Sequence, residues 1–469
     1  MSLVVTCWWT LVRTVVLCLL AWPFCRLIER SLNGVSPAGR PWLMAGLLVP
    51  CCFPELLIGY AFRDLAMANP NWAEALCSGM LLLRMIPIGT IALLASPRSG
   101  LDASALYCRQ MLIRSRFGWR RQRIELARCY WHGPILRALP ALALMSIVAF
   151  QEFELAALVQ TMSWTDWFVT AQRLGLERNE MLRQSLWPLL WQSPVLIGVL
   201  YWLRVEPGRR NNFSSATENL DNESSRRVLW LGVAAVSGLL IAGCLIPLGL
   251  IGWRTVDGLG LLLRQRPQQL SLAREIATSS AVALCAGLSA WSISGRLKGI
   301  AANVLLLGLF GSLLLSLGIV ASFQWTWLRP LYDTPIPWVL GLTVWLLPRA
   351  AILRMWLHAL QSNEAIHVAE MLETSEANGT SGSRGRSALL WRLRDQPQFL
   401  AASLLSYWAY CDLPTAYLLA PSGMASGLVR LYNFMHFGRS AALSAEASVF
   451  FGVPVVGLFL LLLVKRGFR

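Results

Sequence analysis

Lysine is nearly absent from this 469-residue chain: only Lys298 and Lys465 occur. Charged side chains of all kinds make up 14% of the residues, too few to give a water-soluble protein of this length its solvated surface. No GxxxxGK[ST] phosphate loop is present, so the chain has no P-loop of its own for hydrolysing a nucleotide. The four histidines (His132, His358, His367, His436) are scattered, and the eleven cysteines form no CxxC pair and no Cys/His cluster. Most of the cysteines, Cys18, Cys51, Cys244 and Cys411 among them, fall inside apolar runs and read as small buried residues. No metal or cofactor is therefore expected. Short alternating strands, the mark of a membrane β-barrel, are missing as well.

What remains is apolar: 56% of residues are hydrophobic, and the mean hydropathy is +0.52. Several runs reach the ~20 residues that cross a hydrocarbon core. The pattern predicts an all-α polytopic membrane protein with spans near 4–24, 41–62, 74–96, 134–158, 184–204, 228–252, 275–295, 300–322, 335–357, 398–419 and 444–464. That gives about 11 transmembrane helices. A polar stretch rich in Asn, Ser and charge, 206–227, separates residues 1–205 from residues 228–469. The first span lacks the basic leader of a standard signal peptide.

The formal net charge is +16, and arginine carries nearly all of it. Nucleic-acid binding would need a solvated basic domain, and no segment is large and polar enough to be one. The arginines instead read as cytoplasmic loops under the positive-inside rule. Segment 97–133 holds Arg98, Arg109, Arg114, Arg116, Arg120, Arg121, Arg123 and Arg128 against Asp102 and Glu125. It is expected inside, together with the linker, the loop 358–397 and the C-terminus, which places the N-terminus outside. The 22 tryptophans suit the membrane interfaces, where lipid is the surrounding partner.

One repeat organises the chain. Residues 104–112 read SALYCRQML and residues 364–372 read EAIHVAEML, and each string follows an apolar span containing a proline, Pro87 or Pro348. Both strings fall in inside loops that precede the last two spans of their half. The halves then share direction, as two parallel, pseudo-two-fold related units, and the first lacks a counterpart of span 228–252. At helical spacing Tyr107, Met111 and Leu112 share one face, as do His367, Met371 and Leu372, with Glu370 beside them. Such amphipathic helices either lie on the membrane surface or dock in a groove of a partner; duplication at matched positions favours docking.

Carboxylates inside apolar spans are costly unless paired or facing water. Glu152, Glu154 and Asp412 are the candidates to line a solute path, and they favour a cation. The competing reading makes them structural ties to arginines such as Arg84 or Arg349. Tyr410, Tyr417 and Tyr432 lie near Asp412 in sequence. Arg13 either snorkels or faces the bundle.

The layout resembles the fused two-domain permease subunits of bacterial ATP-binding-cassette importers, the iron(III)/thiamine type in particular. Those permeases carry a cytoplasmic Glu-Ala-Ala loop in each half. Here Tyr107-Cys108-Arg109 and His367-Val368-Ala369 occupy that slot, and Ile113 and Glu373 stand where its glycine would be. The segments PELLIGYAF at 54–62, QEFELAALVQ at 151–160 and CDLPTAYLLAPSGMASGLVRLYNFMHFG at 411–438 resemble family segments in the same order. The resemblance implies a bacterial inner-membrane subunit that is not itself an enzyme. Two copies of a separate ATP-binding subunit would dock on the inside loops, and an external solute-binding protein would deliver iron(III) or another small ion or cation. Two other classes stay open: an ion-coupled secondary carrier using Glu152 and Asp412, and a polytopic membrane transferase using Asp166, Glu177 and Glu180 in the outer segment 159–183.

Overall fold

The computed structural model describes residues 2–36, 38–96, 136–204, 222–264, 266–297, 303–360, 389–424, 426–436 and 440–467, with single positions and short pieces within 111–127 and 366–371. Among them every regular element is helical. Six helices are long and apolar enough to cross a membrane, or seven if one bent pair counts as a span, so the chain is a multi-pass membrane protein.

In chain order the first group is α1 (Leu3–Gly34), α2 (Arg40–Cys52), α3 (Glu55–Ala68), α4 (Ala73–Ala95), α5 (Leu136–Phe150), α6 (Glu154–Val159), α7 (Trp164–Arg173) and α8 (Arg178–Arg204). Then come α9 (Asn222–Leu240) and α10 (Ile246–Arg264), joined through one π-helical turn, Ile241–Leu245. The last group is α11 (Arg266–Ser294), α12 (Val304–Leu309), α13 (Ser312–Ser322), α14 (Pro335–Leu360), α15 (Gln396–Tyr410), α16 (Leu413–Leu419), α17 (Gly427–Met435) and α18 (Ala441–Gly467).

Packing follows this order. Helix α1 lies against α4, α5 and α9, and α11 lies against α14 and α15. The short helix α6 packs on α3, and the short helix α16 packs on α13. The α9–α10 rod touches both groups: α9 lies on α1 and α2, while α10 lies on α18. Its N-terminal turn starts at Asn222, inside the stretch read from sequence as linker, because Asn222 to Arg227 extend the apolar helix beyond its hydrophobic part.

Each of the eleven runs read from sequence falls on a helix or a helix pair, but four of them are interrupted. The α2/α3 pair bends by 71° at Phe53-Pro54, and α5/α6, α12/α13 and α15/α16 break at 151–153, 310–311 and 411–412. Those interruptions, and the glutamines, serines and prolines within α8, go with only six helices passing as single apolar spans. Arg13 faces the bundle: its side chain is buried and pairs with Glu74 at 3.3 Å.

Candidate functional site

A helix that breaks inside hydrocarbon exposes backbone N–H and C=O groups that water cannot reach, and each costs several kcal/mol if left unpaired. The four breaks therefore have to be closed by side chains. At Phe53-Pro54 the proline ring restricts Phe53 to an extended conformation (ψ 130°) and ends α2. Gly311 sits at a φ of +91°, a region that favours glycine. Pro414 opens α16 with a residue that has no N–H to satisfy.

Carboxylates serve the freed N–H groups. Glu152 accepts from the amides of Leu155 and Ala156, the latter at 3.1 Å, at the start of α6. Asp412 accepts from the Thr415 amide at 3.0 Å at the start of α16. Glu154 reaches across and accepts from the Leu413 amide at 3.3 Å. Side-chain donors serve the freed carbonyls. Trp408 donates to the Cys51 carbonyl (3.2 Å), Trp164 to that of Phe150 (2.6 Å), and Gln151 to that of Leu309 (2.7 Å).

The breaks converge on one cavity of about 220 Å³. Its walls are apolar side chains of α2, α4, α5, α14 and α15, among them Ile88, Ile147, Ile352 and Leu404, with the indoles of Trp345, Trp356 and Trp408. Its polar end gathers Glu55, Arg84, Glu152, Glu154, Arg349 and Asp412: four carboxylates against two guanidinium groups, a formal excess of two negative charges. Glu152, Glu154 and Asp412 are each less than 8% exposed. Arg84 forms an ion pair with Glu55. Arg349 stacks over the Trp345 ring at 3.8 Å and donates to the Trp345 carbonyl at 2.8 Å.

Burial in a polar end of this kind is expensive, and the chain's own contacts offset most of the cost. Glu152, Glu154 and Asp412 thus line the cavity, and backbone amides rather than arginines hydrogen-bond to them. Arg84 does not take Glu152 or Glu154 as its closest partner. It takes Glu55, a residue missed from sequence although it stands out as an acid directly after a proline in an apolar run. Gln151 was missed too, and its signal was weaker still: one polar residue at the end of a span.

The tyrosines near Asp412 do not gather around it. Tyr410 donates to the Phe450 carbonyl at 2.9 Å, Tyr417 lies 3.5 Å from Arg173, and the Tyr432 ring packs on Phe153 at 5.7 Å. Among the described residues no three His, Cys, Asp or Glu side chains are placed to hold a metal ion.

Two amphipathic helices pack beside the breaks. Helix α7 buries Trp164 and Phe168, and α17 buries Leu428, Leu431, Tyr432 and Met435. The Arg63 side chain binds the His436 carbonyl and holds the end of α17 to α3. Arg430 pairs with Glu275 (3.2 Å) and Glu446 (3.3 Å), which fastens α17 to α11 and α18. Burial, with Arg173 and Arg63 beside it, holds the His436 imidazole below its usual range.

Of the loop residues expected to couple to a partner, Met111, His367 and Met371 are helical and exposed. Tyr107, Leu112, Glu370 and Leu372 lie outside the described residues. In the outer segment, Glu180 accepts from Gln184 at 2.7 Å, and burial raises the Asp166 carboxyl against the opposing pull of Arg173. No family model, no curated protein and no solved structure matches this chain.

Proposed function

We propose that the chain is the permease subunit of an ATP-binding-cassette importer, with a small solute passing between two parallel halves of one polypeptide. The observation that carries this reading is the meeting of four helix interruptions at one charged, otherwise apolar cavity. Irregular backbone at membrane depth is tolerated only where protein buries it or a cavity uses it, and solute sites of transporters are built from such discontinuous helices.

The order of elements supports two halves. A broken pair, a continuous helix, a second broken pair, an amphipathic helix and a long helix occur as α2/α3, α4, α5/α6, α7, α8, and again as α12/α13, α14, α15/α16, α17, α18. Counting each broken pair and α8 as a crossing restores eleven spans. The rod α9–α10 is then the extra crossing, which brings both groups into the same orientation. Exposed Met111, His367 and Met371 support an inside surface on which ATP-binding subunits dock.

Affinity purification of the tagged chain from native membranes should recover an ATP-binding subunit. Repeated recovery without one, from protein with both loops uncleaved, sinks the reading. An ion-coupled carrier is the second reading, and the buried Glu152, Glu154 and Asp412 favour it. Uptake that survives ATP depletion but collapses with the proton gradient would select it.

A further inference from the structure

Segment 151–154 of the first group of helices closes breaks in the second with two opposite kinds of hydrogen bond. The Gln151 amide nitrogen donates both to the Leu309 carbonyl (2.7 Å) and to Gln192 Oε1 on α8 (2.8 Å). Its amide oxygen lies 2.7 Å from where a Cβ on Gly311 would sit, so the missing side chain at Gly311 is what lets Gln151 approach. Three residues on, Glu154 accepts the Leu413 amide. The 151–154 segment thus satisfies a carbonyl at the α12/α13 break and an N–H at the α15/α16 break.

Pairing requirements allow these contacts two well-satisfied arrangements, closed and parted. While the segments touch, Leu309 and Leu413 are paired by protein. When they part, water fills the gap and pairs them instead. An intermediate separation leaves both groups unpaired, which the low-dielectric interior disfavours.

We propose that Gln151 is a positioning residue, the latch that holds the outer side of the cavity shut and so sets which face of the membrane the cavity opens to. This rests on the transport reading. Removing the Gln151 donor orphans the Leu309 carbonyl only in the latched state, because water reaches that carbonyl once the segments part. The population therefore shifts towards outward opening, and by no more than the difference between the two states allows. The lost bond corresponds to a change on the order of ten-fold.

The test uses the full-length protein in right-side-out and inside-out vesicles, with a reporter Ile88→Cys on the cavity wall. Labelling by a membrane-impermeant maleimide is read by peptide mass spectrometry, so native cysteines are resolved from the reporter. Gln151→Leu and the near-isosteric Gln151→Met, which keeps the length but has no donor, should each raise the outer-to-inner labelling ratio on the order of ten-fold. Gln192→Leu leaves the Leu309 bond in place and should raise it less. An unchanged ratio in Gln151→Met protein that elutes as a single species overturns the latch, and so does a reporter that never labels from the inner face. If Gln151→Leu fails to fold, Gln151→Met carries the test. The readout needs neither ATP nor a known solute, so a shifted ratio without a recovered ATP-binding subunit would separate failure of the importer reading from failure of the latch.

Discussion

The breaks at 151–153 and 411–412 solve the same problem with different residues. In both, a helix stops within the apolar run and a short helix resumes after a turn. In both, the acid at the turn, Glu152 or Asp412, accepts from the N–H three residues on. The neighbouring positions then diverge. Where the first break has Gln151 and Glu154, the second has Cys411 and Pro414. Gln151 and Glu154 reach into the other group of helices, whereas Cys411 and Pro414 offer neither a strong donor nor a charge. A repeated backbone geometry thus preserves the cap, because every break of this type needs one. At these two turns the bridging falls to the first, while Trp408, three residues before Cys411, bridges in the other direction to Cys51 through its indole.

The largest predicted effect tests the shared part. Glu152→Ala orphans two amides and Asp412→Ala one, so thermal unfolding in detergent should show Glu152→Ala as the more damaging, at about 2 kcal/mol against about 1 kcal/mol. Equal losses, or the reverse order, would break the equivalence drawn between the two turns. Glu154→Gln sharpens the part that differs. The amide oxygen still accepts from Leu413, so stability should change by less than about 0.5 kcal/mol. If uptake falls steeply at unchanged stability, the Glu154 charge serves the solute as well as the fold.

The smallest effect concerns α17. The folded protein favours neutral His436, whose ring edge meets Tyr432 and which faces Arg63 from α3 and Arg173 from α7. Because its folded value is depressed, its contribution is present above the usual histidine value of about 6.5 and is lost as pH falls below it. Acidifying the purified protein from pH 7.5 to 5.5 should speed proteolysis or hydrogen exchange of α17, and His436→Gln should blunt that response. An identical pH profile in the variant would remove His436 from the packing of α17.

Much of the architecture was legible because a bilayer imposes it. The apolar runs fell on the six helices long and apolar enough to cross a membrane, on α8 and on four interrupted pairs, and Pro54, Gly311, Pro414 and the acids at 152 and 412 all lie where a continuous helix is disfavoured. That the runs would break was not legible. Hydropathy averages over a window and does not register a two-residue turn in which polar atoms are paired. Glu55 as the partner of Arg84 was equally hidden, since the two lie on different helices and nothing in their spacing brings them together. The inside-loop readings rested on the repeated string, and the structure adds only that Met111, His367 and Met371 stand exposed.

By itself the sequence determined the class of this protein: helical, multi-pass, with acids in apolar runs at two points 260 residues apart. Those follow from local properties, the length of an apolar run and the cost of a charge within it. Only the tertiary structure decided which distant groups meet at the breaks: Trp408 with Cys51, Gln151 with Leu309, and Glu154 with Leu413. The physical reason is that hydrocarbon supplies no water, so each freed backbone group must be paired by whatever the packing brings within reach, and that is a property of the whole chain.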